Sequence, residues 1–74
     1  MDKRKPLQIS AHAKQRMIER RVAEEMVEET LFKGSHHQGK NGKMIAEKPL
    51  GHAKIRVVYT ETPTHFFILT VTKG

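Results

Sequence analysis

The hydrophobic pattern of this chain changes its period once, and that change limits the folds open to it. Up to Lys33, apolar residues recur at helical spacing, and the second predicted helix carries one stripe formed by Val22, Met26, Val27, Thr30 and Leu31. After Met44 the pattern changes to that of strands: Ala53, Ile55, Val57 and Tyr59 alternate onto one face, and residues 65–72 are apolar on both faces, as in a central strand. The pattern therefore predicts helices first and strands afterwards, which is typical of an α+β fold.

The expected order of elements is (β)ααβββ, in which a short edge strand precedes the helices. Helices are predicted over residues 11–20 and 22–33, and strands over residues 7–9, 44–46, 53–60 and 65–72. Ser10 is predicted to cap the first helix. Gly34 is predicted to end the second helix in the left-handed conformation. Residues 34–43 are predicted to form a polar, glycine-rich loop. The economical architecture packs both helices on one face of a small antiparallel sheet.

The length of 74 residues suffices for one hydrophobic core and is too short for two. We therefore expect a single domain over residues 7–74, preceded by a basic, flexible tail over residues 1–6. The sequence contains no cysteine, which excludes disulfides and fits the reducing cytoplasm. No apolar run approaches the ~18 residues of a membrane-spanning helix, so no membrane partner is expected.

The formal net charge is +6, and it is unevenly distributed along the chain. Residues 1–21 hold seven Lys or Arg against two acids, whereas residues 22–34 hold one Lys against four Glu. Residues 35–74 again carry an excess of cations, with six Lys or Arg against two Glu. A surface of this kind favours a polyanion, with RNA or DNA the obvious partners, although charge that serves solubility alone is the other explanation.

The inward stripe of the first predicted helix is short. Ala13 and Met17 lie four residues apart and are expected to face the core together. Ile18 follows Met17 directly and is expected to extend their contact around the helix. The other side of the helix is thereby left to polar and charged side chains.

On that other side, His12, Arg16 and Arg20 are spaced i, i+4 and i+8 and share one helix face. If Ser10 is the cap, His12 lies among the unpaired amides of the first turn, where a neutral ring can act as a base. The same amides can bind a phosphate, and Arg16 can grip it with two nitrogens. These are the parts needed for attack of a 2′-hydroxyl on RNA.

Each of these residues also has a structural interpretation. The ring of His12 can instead pack beneath the N-terminal segment, hydrogen-bonded to backbone. Arg16 and Arg20 can instead be held in salt bridges to Glu19 or Glu24. The sequence leaves both interpretations open.

The run from Ser10 to Arg20 resembles the opening motif S-x-H-A-x-x-R-M-x-E-R of the Domain of Unknown Function 4258 family. The resemblance continues through a glutamate-rich second helix that ends in Gly34 and a closing strand at residues 68–71, and it spans about residues 7–72. Two positions depart from the family pattern. Arg21 stands where the family usually has glycine, and Ala23 where it usually has a serine or aspartate cap.

This resemblance implies a RelE-like fold, within a superfamily of ribonuclease toxins that includes barnase, EndoU and tRNA-cleaving colicins. Many of its members cut RNA without a metal, so neither a metal nor a cofactor is expected. By position, the resemblance assigns catalytic roles to His12, Arg16, Arg20 and Thr70. It also makes a protein antitoxin or inhibitor a candidate partner in a bacterial cytoplasm.

Three further residues are weaker candidates for binding substrate. Lys14 lies within the opening motif, and Arg56 and Tyr59 lie on the middle predicted strand, where both could face the same substrate. The leading hypothesis is an RNA-binding domain with endoribonuclease activity of the RelE-like toxin type. The alternatives are a non-catalytic basic module that binds nucleic acid or a protein, and a purely structural protein.

Overall fold

The computed structural model describes residues 5–74, which form one sheet and two helices. In chain order the elements are β1 (Leu7–Ile9), α1 (Ala11–Arg20), α2 (Glu24–Lys33), β2 (Ser35–Gln38), β3 (Met44–Leu50), β4 (Ala53–Glu61) and β5 (Phe66–Lys73). The strand order is β1-β5-β4-β3-β2. β1 pairs in parallel with β5, and all other neighbouring strands are antiparallel. The predicted α+β class, with two helices ahead of most of the strands, is confirmed.

The sheet is larger than the sequence pattern predicted, and it is mixed rather than wholly antiparallel. The segment 34–43, predicted as a loop, contains β2 and the turn into β3. In that turn Asn41 and Gly42 have φ values of 59° and 75°, and the Lys43 amide donates to the Lys40 carbonyl at 3.1 Å. Two successive positive φ values give the tight turn whose twist matches that of the strands it joins. The prediction of a loop is therefore wrong because this turn pairs the strands.

Both helices cover one face of the sheet, and a single core lies between them. α1 packs on β5, while α2 packs on β3 and β4. The buried residues are Ala13, Met17, Val22, Val27, Thr30, Leu31, Ala46, Ile55, Val57, Tyr59, Ile68 and Val71. Neither helix of residues 5–74 has the length and apolarity needed to cross a membrane. The opposite face of the sheet carries no helix of the described chain, and we call it the open face.

One core prediction on α1 is wrong. Ala13 and Met17 are buried as expected, but the side chain of Ile18 is 78% exposed. Ile18 lies about 100° further around the helix than Met17, which turns it from β5 towards solvent. An exposed isoleucine on a short helix therefore marks the surface rather than the core.

α1 begins and ends with well-formed caps. The Ser10 hydroxyl accepts from the Ala13 amide at 3.1 Å, as predicted. At the other end Arg21 takes the left-handed conformation, with φ 57° and ψ 47°. The Arg21 amide donates to the Ile18 carbonyl and the Val22 amide to the Met17 carbonyl, at 3.3 and 2.8 Å. This is a Schellman motif, and an arginine rather than a glycine occupies its strained position.

Replacing Arg21 with glycine should therefore stabilise the protein. A left-handed conformation costs a non-glycine residue about 1 kcal/mol, and glycine adopts it without that cost. We expect the free energy of unfolding in urea to rise by about 1 kcal/mol at an unchanged slope. Arg21→Ala is the matched control, because alanine removes the charge but keeps the strain. Equal stability of the two variants would contradict the assignment of strain.

The predicted basic tail lies largely outside the described residues, since the structure describes none of residues 1–4. Its last two residues are bound to the domain. The Lys5 ammonium donates to the Thr62 carbonyl at 2.9 Å and pairs with Glu61. The Phe66 amide donates to the Pro6 carbonyl at 3.0 Å. The described end of the predicted tail therefore contacts the end of β4, the residue after it and the start of β5.

Candidate nucleic-acid interface

His12 lies exposed in the first turn of α1, beside amides that have no hydrogen-bond partner within residues 5–74. Ser10 satisfies the amides of Ala13 and Lys14 through its hydroxyl and carbonyl, at 3.1 and 2.9 Å. Within residues 5–74, the amides of Ala11 and His12 have no hydrogen-bond acceptor. The His12 side chain is exposed, so it does not pack beneath the N-terminal segment. A free ring and two free amides thus lie at the positive end of the helix.

Arg16 and Arg20 follow His12 along the same face, and we call these three residues the α1 stripe. Successive members lie about 6 Å apart along the axis, because a helix rises about 1.5 Å per residue. A single Nη1 of Arg16 lies 3.3 Å from Oε1 of Glu19, and both side chains are nearly half exposed. A surface pair of this kind contributes little and is easily exchanged for another anion. Arg20 is exposed and has no carboxylate partner in the described part of the chain.

Thr70 does not share a face with the α1 stripe. In β5, Thr70 pairs with Val58 and Ile68 pairs with Tyr59, which leaves Leu69 as an extra residue at a bulge. The Ser10 hydroxyl donates to the Leu69 carbonyl at 3.2 Å, so the backbone beside Thr70 contacts the cap of α1. The Thr70 side chain, however, lies half-buried on the open face, because its neighbour Val71 faces the core.

Arg56 and Tyr59 lie on opposite faces of β4, so the expectation that both face one substrate is wrong. Residues three apart in a strand point to opposite faces. Tyr59 is buried, and its hydroxyl lies 2.7 Å from Nδ1 of His36. Burial raises the pKa of Tyr59 above its usual value. Arg56 lies on the open face, where its Nε is 2.7 Å from Glu47. Tyr59 is therefore unavailable to a ligand, whereas Arg56, whose side chain is 54% exposed, contacts Glu47 through Nε on the other face of the sheet.

Glu47 neutralises much of the cationic charge on the open face. It pairs with Lys54 at 3.7 Å as well as with Arg56, and its side chain is only 15% exposed. The hydrogen bond from Arg56, aided by the charges of Lys54, Arg56 and His37, lowers the pKa of Glu47 despite some desolvation. The open face therefore presents an ion cluster in which one carboxylate offsets part of the charge of two exposed cations.

His36 has a structural role that the sequence analysis missed. Its Nε2 lies 2.6 Å from the Leu31 carbonyl, which can only accept, so Nε2 carries a proton. Nδ1 of the neutral ring then accepts from the Tyr59 hydroxyl. His36 thereby ties the last turn of α2 to β4. No group of three or more His, Asp or Glu side chains that could hold a metal ion occurs within residues 5–74.

The comparison with known protein families supports the family that the sequence resembles. A family model described as a domain of unknown function (DUF4258) matches residues 9–73. The chain belongs to the DUF4258 family. The matched region runs from the end of β1 to the end of β5 and so includes the α1 stripe and nearly all of the core. No curated protein and no solved structure matches the chain.

In this DUF4258 domain, ion pairs engage cations of both the helices and the sheet but leave three cations at or near α1 unpaired within residues 5–74. Within the described residues, the cations in ion pairs are Lys5, Arg16, Lys33, Lys48, Lys54 and Arg56. Lys14, Arg20 and Arg21 have no such partner in residues 5–74 and lie on or just beyond α1. Lys14 lies on the other flank of the helix, away from the α1 stripe. Three of the cations of residues 5–74 that form no ion pair therefore lie at this helix, and the other three, Lys40, Lys43 and Lys73, lie in the β2–β3 turn and at the end of β5.

Proposed function

We propose that this DUF4258 domain binds RNA along the α1 stripe. The observation that carries the proposal is the exposure of His12 and Arg20 on one helix face, together with the two unpaired amides at its amino end. Amides at a helix start bind phosphate oxygens well, and an arginine fork matches the same geometry. The resemblance to the DUF4258 family implies a RelE-like ribonuclease fold, and this implication favours RNA over other polyanions.

We further propose that His12 acts as the base in metal-independent cleavage. The 2′-hydroxyl of one nucleotide attacks the adjacent phosphorus, and its proton passes to the imidazole of His12. The bond from phosphorus to the 5′-oxygen breaks, which leaves a 2′,3′-cyclic phosphate and a 5′-hydroxyl that takes a proton from water or from the imidazolium. Arg16 and Arg20 offset the charge that develops on the phosphoryl oxygens.

One observation favours the alternative of a non-catalytic binding module. Thr70, the proposed fourth catalytic residue, has its side chain on the open face of the sheet, whereas the α1 stripe lies on a helix that covers the other face. The described residues near the stripe therefore supply one candidate base and two cations. A module that only binds RNA needs the cations but not the imidazole of His12.

Removing the two arginines of the stripe should weaken RNA binding and reduce its dependence on salt. For Arg16→Ala combined with Arg20→Ala, we expect affinity for a fluorescent oligouridylate to fall by about tenfold at low salt, since two phosphate contacts are lost. The slope of log K against log salt should fall by about 1.4, at about 0.7 for each phosphate contact on a single strand. Fluorescence anisotropy across a salt series measures both quantities.

The matched control removes two exposed lysines of the β2–β3 turn, through Lys40→Ala and Lys43→Ala. Both double variants lower the net charge equally, so a general loss of attraction affects them alike. A selective loss in the arginine variant supports the α1 stripe. Equal losses, or no binding by the unmodified protein, would contradict it.

A further inference from the structure

An apolar groove lies along the flank of α1 that faces away from the α1 stripe. Its lining comes from Lys14, Met17, Ile18 and Arg21 of the helix and its end, and from Val22 and Ala23 of the connection to α2. Met17 and Val22 form its floor and are buried, whereas Ile18 forms a wall that is 78% exposed. Ile18 is the exposed large hydrophobic side chain of residues 5–74. Ile18, Met17, Val22 and Ala23 together form one contiguous apolar surface that a partner can cover.

The shape of this groove suits a helix. Lys14, Met17, Ile18 and Arg21 follow the spacing i, i+3, i+4 and i+7, so they form one continuous ridge along α1 and its end. An amphipathic helix binds such a surface by laying its own apolar residues, at the same spacing, against it. The ridge extends for about two turns, which is enough for two or three anchoring side chains.

The positive charges at the two ends of the groove favour a partner that carries acidic side chains. Lys14 and Arg21 stand at either end of the ridge, and neither has a carboxylate partner within the described residues. No acidic side chain of residues 5–74 lines the groove. Glu24 lines the adjacent depression together with Lys14 but forms no ion pair with it. The groove is thus apolar in the middle and cationic at its ends.

We propose that this groove binds an acidic amphipathic helix of another protein. Its leucine-like residues would cover Ile18, Met17 and Val22, and its carboxylates would pair with Lys14 and Arg21. A second copy of this chain, related by a two-fold axis, would set those two cations against their own counterparts, which is repulsive. The lining contains no aromatic side chain on which a base could stack, so RNA is poorly matched to it.

A pair of designed peptides tests this proposal directly. Both carry leucine at i, i+3, i+4 and i+7 over about four helical turns, and one has glutamate where the other has lysine at the flanking positions. We expect the glutamate peptide to shift the Ile18 methyl signals in a carbon–proton NMR spectrum of the full chain. Its affinity, measured by fluorescence anisotropy, should exceed that of the lysine peptide by about tenfold or more. Ile18→Asp should weaken its binding by about tenfold or more.

Two charge-reversal variants separate a specific site from general attraction. Lys14→Glu with Arg21→Glu should abolish the preference for the glutamate peptide, whereas Lys40→Glu with Lys43→Glu should leave it intact. Equal effects of the two variants, equal affinity for the two peptides, or unmoved Ile18 methyls would overturn the proposal. Sedimentation that shows an Ile18-dependent dimer would assign the groove to a second copy instead. Displacement of the peptide by oligouridylate at the Ile18 methyls would assign it to RNA.

Discussion

Replacing His12 with alanine should lower the rate of RNA cleavage by about 10²- to 10⁴-fold, the usual contribution of a general base. The exposed ring lies at the start of α1, where a phosphate held by the free amides would bring a 2′-hydroxyl within its reach. Because the arginines of the stripe remain, affinity for the RNA should change little. Single-turnover cleavage of a labelled RNA, with and without ribosomes, measures the rate. Mass spectrometry of the products should find 2′,3′-cyclic phosphate ends only with the unmodified protein.

His52→Ala is the matched control, because His52 is an exposed histidine in the turn between β3 and β4. It should cleave at the unmodified rate. An RNA with a 2′-deoxy substitution at the cleaved position should bind but remain intact. Cleavage that persists in the His12 variant would place the base elsewhere, and binding without cleavage by the unmodified protein would leave the non-catalytic module as the function.

Replacing Gly34 with alanine should destabilise the fold by about 3 kcal/mol, as the addition of a carbon to a tightly packed site does. Gly34 ends α2 with φ −84° and ψ −178°, an extended conformation open to any residue, so the predicted left-handed cap is wrong. A Cβ at this position would lie 2.4 Å from the Glu47 carbonyl oxygen and 2.5 Å from that of Thr30. Both atoms belong to backbone, in β3 and in α2, so neither can move without shifting its element. Urea unfolding followed by circular dichroism measures the loss.

Gly42→Ala is the control that distinguishes a steric clash from backbone strain. Gly42 has φ 75°, but an added Cβ would meet no atom within 4 Å. Alanine there should cost only about 1 kcal/mol of conformational strain. If the two variants proved equally stable, the close approach of α2 to β3 at Gly34 would not control stability as we infer.

Local signals predicted much of the fold, and contacts between distant segments account for what they missed. The cap at Ser10 and the buried pair Ala13 and Met17 depend on residues within one or two turns, and all three predictions are confirmed. The role of Gly34 depends on Glu47, whose backbone approaches only when the sheet has formed. β2 has four exposed residues and so lacks the apolar alternation that marks a strand.

The candidate site was predictable to the extent that it lies on one helix. The spacing of His12, Arg16 and Arg20 is enough by itself to place them on one helix face. The separation of Thr70 from that face depends on the register of β5 and on its bulge, which no local pattern reveals. The alternation of side chains along a strand could have predicted that Arg56 and Tyr59, three residues apart, lie on opposite faces of the sheet. The exposure of Ile18 depends on the direction in which α1 crosses β5.

The placement of β5 has a consequence for synthesis on the ribosome. β5 is the last strand to be translated, yet it lies between β1 and β4 and forms the surface on which α1 packs. A nascent chain that ends before Phe66 has its first strand and first helix but nothing to bury them. β1 and α1 therefore cannot pack until β5 has been synthesised. We expect α1 to become a stable, ordered helix only when translation of the domain is complete.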